Sequence, residues 1–97
     1  MNVIKLKTIK DYYEKNNQCK QQLLTWYQEV TKAEWNNSHD IKEKYPSASF
    51  IHDNLVVFNI KGKKYRLIVK VAYKKKAVLI KFIGTHPEYD KWIKKNL

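Results

Sequence analysis

Three short, largely apolar runs in the second half of the chain, bounded by polar turns, take the strand period of two. They are "NLVVFNI", which ends at Lys61-Gly62, "KKYRLIVKVAY", which ends at Lys74-Lys75-Lys76, and "AVLIKFIG", which leads into "THPEYD". A period of two marks strands, and short polar turns between successive strands mark an antiparallel meander. Alternation divides each strand into two rows. Val56, Phe58 and Ile60 form an apolar row with Tyr65, Leu67, Val69, Val71 and Tyr73, and with Val78, Ile80 and Phe82. Turns of two or four residues both let these rows share one face, and that face must meet helices. The other face collects Asn59, Lys61, Lys64, Arg66, Lys70, Lys81 and Thr85 among aliphatic residues. Asn59 is expected opposite Arg66, Lys70 opposite Lys81, and Arg66 opposite Thr85. Opposed like charges on a sheet are unfavourable, and a bound anion would relieve them. Lysines alone would suit a solvated face. An arginine within the sheet, beside "THPEYD", favours a phosphate-binding one.

The first half has helical spacing. "VIKL" suits a short N-terminal strand, and Thr8 with Asp11 resembles a capping box that opens a helix. After Asn16-Asn17, the residues Cys19, Leu23, Trp26, Tyr27, Val30 and Ala33 make one apolar helix face. Ser38 or Asp40 can cap a further short turn, with Glu43 completing a box to Asp40 and Pro46 ending it. Pro87 fits the first turn of a short C-terminal helix. The expected fold is α+β: an N-terminal strand and helices on one face of a mainly antiparallel sheet, then a terminal helix.

Ninety-seven residues suit one domain, 1–97. Against 20 Lys and Arg stand 9 Asp and Glu, a formal net charge of +11. Such an excess repels itself in the folded state and points to a polyanionic or acidic partner. No apolar run has transmembrane length, and "MNVIKLKTIK" is too charged for a signal-peptide core. The single cysteine, Cys19, makes no internal disulfide or metal cluster, so a cytoplasmic location is expected. Its plainest role is a small apolar residue on a helix face.

"GTHPEYD" holds the most suggestive side chains. Thr85 and Glu88 make a capping box, so His86 is either a helix-start residue or an acid–base group. Tyr89 is either a core aromatic or part of a site, and Asp90 suits a helix first turn in any case. His39 and His52 fall in polar turns and read as surface residues. Lys74, Lys75 and Lys76 are a charged turn able to touch RNA phosphates. Trp26, Trp35 and Trp92 can stack bases in principle, although Trp26 has core spacing. Metal-ligand spacing, phosphate-binding glycine loops and nucleophile motifs are absent.

The stretches "VVFNIKGKKYRLIVKVAY" and "IKFIGTHPEYDKW", with "LLTWYQEVTKAEWNNSHDIKEKYPSAS" upstream, resemble the HigB family of toxins from bacterial type II toxin–antitoxin pairs. The resemblance implies a RelE-like fold and a cytoplasmic mRNA endonuclease acting largely on messages in the ribosomal A site. It implies no cofactor and no required metal. The expected partner is a HigA-type helix-turn-helix antitoxin, through which alone operator DNA is met. The implied chemistry is attack of the RNA 2′-OH on its own phosphate. Asn59, Arg66, Lys70, Lys81, His86, Tyr89 and Asp90 occupy the family's polar positions. Leu55 and Lys81 stand where many members have arginine, and Lys63 where asparagine is common. Arg66 would stabilise the transition state with Lys70 and Lys81, and His86 would move a proton with Asp90 or Tyr89 orienting it. Asn59, Lys61, Lys64 and Lys81, with Lys74 to Lys76, would hold RNA. The rival classes are a non-catalytic basic RNA- or DNA-binding module and a purely structural interaction protein.

Overall fold

The computed structural model describes all 97 residues. The meander forms as alternation requires, from β3 (Leu55–Ile60), β4 (Tyr65–Ala72) and β5 (Ala77–Thr85). Both turns hold four residues: Ile60 pairs with Tyr65, and Ala72 with Ala77. In the first, Lys61 and Gly62 take φ of 55° and 67°. This left-handed backbone matches the strand twist, and at Gly62 it is free of any Cβ clash. The N-terminal strand β1 (Asn2–Ile4) extends the sheet parallel to β5. A strand not foreseen, β2 (Ser49–Ile51), pairs with β3 at the other edge, giving the order β1-β5-β4-β3-β2.

Between β1 and β2 lie α1 (Leu6–Lys15), a single 3-10 turn (Asn17–Cys19), α2 (Lys20–Lys32) and α3 (Ser38–Lys44). Thr8 does not open α1. The chain reverses at Lys5, whose φ is 67°, so the helix begins at Leu6 with no side-chain cap. Asp11 is engaged instead by Lys7 at 2.8 Å. The cap of α3 is Asn37, whose side chain accepts from the Asp40 N–H at 3.1 Å, rather than Ser38 or Asp40. Asp40 reaches back to accept from the Asn36 N–H at 2.8 Å.

These helices cover the apolar rows. Ile9, Leu23, Trp26, Val30 and Ile41 pack against Val56, Phe58, Leu67, Val69 and Ile80 in one cluster of 18 buried residues. Phe58 is its hub, with ring centroids 5.5 Å from Trp26, 6.2 Å from Trp35 and 5.0 Å from Tyr45. Trp26 and Trp35 are therefore core residues, each contributing a few kcal/mol by burial, on the order of 1.5–3 as for other large apolar side chains. Cys19 is fully buried, its thiol donating to the Asn16 carbonyl at 3.2 Å.

Two expectations about the opposite face are corrected. First, β5 carries a bulge opposite Ile68 and Val69: Ile80 pairs with Val69 and Phe82 with Ile68, leaving Lys81 as the extra residue. Every β5 residue beyond the bulge changes face. The four-residue turn, pairing Ala72 with Ala77, already sets Lys70 opposite Leu79 and not Lys81; beyond the bulge Arg66 pairs with Gly84 and not with Thr85, and Phe82 leaves the helix-covered row. Second, the terminal helix α4 (His86–Asn96) does not join the other helices. Its Tyr89, Trp92 and Ile93 lie over Leu55, Val57, Ile68 and Phe82, a second small core on the far side of the sheet. The basic face is thus divided by a helix laid across its aliphatic middle. No helix is long and apolar enough to cross a membrane.

Candidate active site

The site is built where β4 starts and β5 ends, so that Asn59, Arg66 and Gly84 lie side by side on adjacent strands. Gly84 is required by close approach. A Cβ there would lie 2.5 Å from the Phe82 ring and 3.0 Å from the Glu88 carboxylate, so the strand turns directly into α4. The first turn of α4 then faces Arg66. The Arg66 guanidinium carbon lies 5.1 Å from the Tyr89 ring centroid, a cation–π contact. His86 meets the same ring edge-on at 6.2 Å. Its Nδ1 lies 3.2 Å from the Asp90 carboxylate, one helical turn on, which leaves Nε2 free. Tyr89 thus touches both the arginine and the histidine.

The electrostatics of this corner are unbalanced. The ion pairs of the structure are Lys7–Asp11 and Lys44–Glu29, and the histidine–carboxylate contacts are His39–Glu43 and His86–Asp90. None neutralises Arg66, and its Nε is buried without a hydrogen-bond partner. A buried donor left unpaired costs roughly 1–3 kcal/mol, so its retention calls for a reason. An anion resting on the guanidinium supplies one. No group of three or more His, Cys, Asp or Glu side chains is placed to hold a metal ion.

The corner is held by the capping box expected from sequence. Glu88 accepts from the Thr85 N–H at 2.7 Å, and the Glu88 N–H donates to the Thr85 hydroxyl at 3.4 Å. Tyr12 reaches over from α1 to donate to Glu88 at 3.4 Å, a contact between distant segments that local spacing does not announce. Burial, with the Glu88 charge beside it, pushes the Tyr12 phenol well above its ordinary value, so it stays a donor. The Thr85 N–H holds the Glu88 carboxyl below its ordinary 4.5, against the opposing effect of burial. A depressed carboxyl contributes stability that is complete above the ordinary value and lost as pH falls through the folded one. Thr85→Ala should cost about 1 kcal/mol. The gap in Tm between wild type and Glu88→Gln should close as pH drops below 4.5, whereas a pH-independent gap would remove the ionised cap.

The remaining candidates are distributed elsewhere. Lys64 turns toward the helix layer, donating to Gln18 at 2.6 Å, and Lys61 is exposed on the same turn. Lys74, Lys75 and Lys76 occupy the β4–β5 turn at the far end of the sheet, about 20 Å along β4 from Arg66. Lys76 is tethered there to the Trp35 carbonyl and the Asn36 side chain. Lys70 and Lys81 are exposed beside each other, at the other end of α4 from Tyr89.

Comparison with known proteins identifies the group to which this corner belongs. Residues 19–92 match the family HigB_toxin, described as the RelE-like toxic component of a toxin–antitoxin system. The chain belongs to the HigB family. The matched span contains the whole sheet except β1, the site corner and most of α4. Curated relatives include the "mRNA interferase toxin HigB" of Escherichia coli (strain K12), 29% identical over 92 residues, which are 93% of this chain and 88% of that one. The "mRNA interferase HigB" of Escherichia coli O157:H7 and that of Shigella flexneri match with the same identity and coverage. As the toxic component of such a pair, a HigB-family protein has an antitoxin as its partner.

Proposed function

We propose that this chain is an mRNA endonuclease whose cleavage of messages inhibits translation and growth, with HigA-type antitoxin restraining it. The observation that carries the reading is the unpaired, partly buried Arg66 beside the Tyr89, His86 and Asp90 side chains. The relatives' description as mRNA interferases supports it.

In the proposed step the RNA 2′-oxygen attacks its neighbouring phosphorus. The new O2′–P bond forms as the P–O5′ bond breaks, one proton leaves the 2′-hydroxyl and one reaches the departing 5′-oxygen. Products are a 2′,3′-cyclic phosphate and a free 5′-hydroxyl. Arg66 stabilises the charge that gathers on the non-bridging oxygens, its fork held against Tyr89. Asp90 fixes His86 through Nδ1, and the free Nε2 moves a proton at the reacting centre. A ribosome presenting the message in line would supply much of the remaining rate by orientation. No cofactor takes part in this step.

Primer extension on cellular mRNA after induction tests the proposal. New 5′ ends within messages are expected. Salt-dependent RNA binding with no new ends would instead mark a non-catalytic basic module.

A further inference from the structure

The cleft at the far end of α4 is a second element of the same face. It encloses about 220 Å³ and is lined by His52, Asp53, Lys70, Lys81, Trp92 and Asn96, among others. Lys70 lies four residues along β4 from Arg66, about 13 Å away, too far for one phosphate to touch both. The bulge places Lys81 on this face as the unpaired residue of β5, close to Lys70 across the ladder. Bulges recur where a strand re-aims a side chain beside a functional site. Neither lysine is in salt-bridge contact with a carboxylate, so two ammonium groups without a direct partner line the cleft, with Asp53 the one carboxylate beside them. Trp92 lines the same cleft, its indole braced by Phe82 at 5.9 Å and partly open.

We infer that this cleft is a nucleotide subsite for the single-stranded RNA that runs from Arg66 along α4. It takes a base against Trp92 and the attached phosphate between Lys70 and Lys81. An aromatic wall beside paired cations is the chemistry that holds single-stranded nucleic acid, the ring binding any base face and the cations the backbone. Asp53 and Asn96 also line the cleft. Asn96 donates its amide to the Trp92 carbonyl at 2.8 Å, which leaves its side-chain oxygen, like the Asp53 carboxylate, an acceptor for a base amino group. The cleft and the Arg66 corner then hold two separate phosphates of one strand, and binding energy gained here positions the bond to be cut. The inference rests on the endonuclease reading for the identity of its ligand.

The test is equilibrium binding of a fluorescein-labelled RNA oligonucleotide methylated at every 2′-oxygen, which cannot be cleaved. The Lys70→Gln/Lys81→Gln double variant should bind it at least ten-fold more weakly. Its salt dependence should be shallower by roughly 0.7 in slope, for the one phosphate the two lysines hold. The same RNA should quench tryptophan fluorescence in wild type, and the quench should vanish in Trp92→Phe, because Trp26 and Trp35 are buried. Wild-type affinity and salt slope in the double variant would overturn the subsite. If the protein binds this RNA as described but leaves mRNA uncut both on ribosomes and off them, the subsite stands and the endonuclease reading fails.

Discussion

Arg66→Ala abolishes growth inhibition on induction while leaving the protein folded. The side chain contributes little to stability. Its Nε is buried without a partner, no carboxylate pairs with it, and its one defined contact is the Tyr89 ring. Losing that cation–π contact costs about 0.5–1 kcal/mol. Removing an orphaned donor returns at least as much, roughly 1–3 kcal/mol. Thermal unfolding should therefore stay close to wild type, so a lost phenotype reports on chemistry and not on folding. An arginine whose absence leaves the fold intact and the cell growing is a functional group. Full toxicity of the variant would show that the corner is not the site. Arg66→Lys separates charge from geometry: an ammonium keeps the charge but not the planar fork, and partial toxicity is expected.

His86→Gln lowers the cleavage rate by roughly 10²–10⁴, the usual span for loss of a positioned proton-transfer group. Glutamine can still donate from its amide toward Asp90, so the first turn of α4 and the Thr85–Glu88 box persist. The alternative weighed from sequence, a histidine that merely starts a helix, predicts a rate within a few-fold of wild type. The structure gives each role its own residues. Thr85 and Glu88 cap the helix, whereas His86 is exposed, bound to Asp90 through one nitrogen and free at the other. Asp90→Asn should slow the reaction less than His86→Gln, because it removes the orienting partner and not the group itself.

The meander, the N-terminal strand that extends it and the capping box were legible in the sequence, whereas turns of two and four residues fitted equally and the parallel pairing of β1 was not foreseen. What was legible is set by local pattern: period-two alternation, and Thr85 spaced three residues from Glu88. The bulge was not. Phe82 and Ile83 are both apolar, so alternation alone could not say where β5 changes face, and the error carried Thr85 onto the site face in place of Gly84. The placement of α4 was also missed, although two signals were present. Leu55, Val57, Ile68 and Leu79 make the basic face too aliphatic for open solvent, and Tyr89, Trp92 and Ile93 recur at helical spacing to cover it. Joined, they predict a helix across that face. The Tyr12–Glu88 contact depends on packing between α1 and β5 and has no local trace.

That helix explains the arrangement of charge. It shields the aliphatic middle and leaves an arginine–histidine corner at its start and a two-lysine cleft at its end. Lys61, Lys64 and Lys74 to Lys76 stand on turns at the margins of the sheet, where they raise the overall attraction for a polyanion without touching the reacting phosphate.

The most direct measurement is the chemistry of the ends left on mRNA cut by the purified protein, on ribosomes and off them. Attack by the 2′-hydroxyl at the Arg66–His86 corner predicts fragments with 5′-hydroxyl and 2′,3′-cyclic phosphate ends, absent with Arg66→Ala. Fragments bearing 5′-phosphates, or the same cut made equally well by Arg66→Ala, would contradict the account.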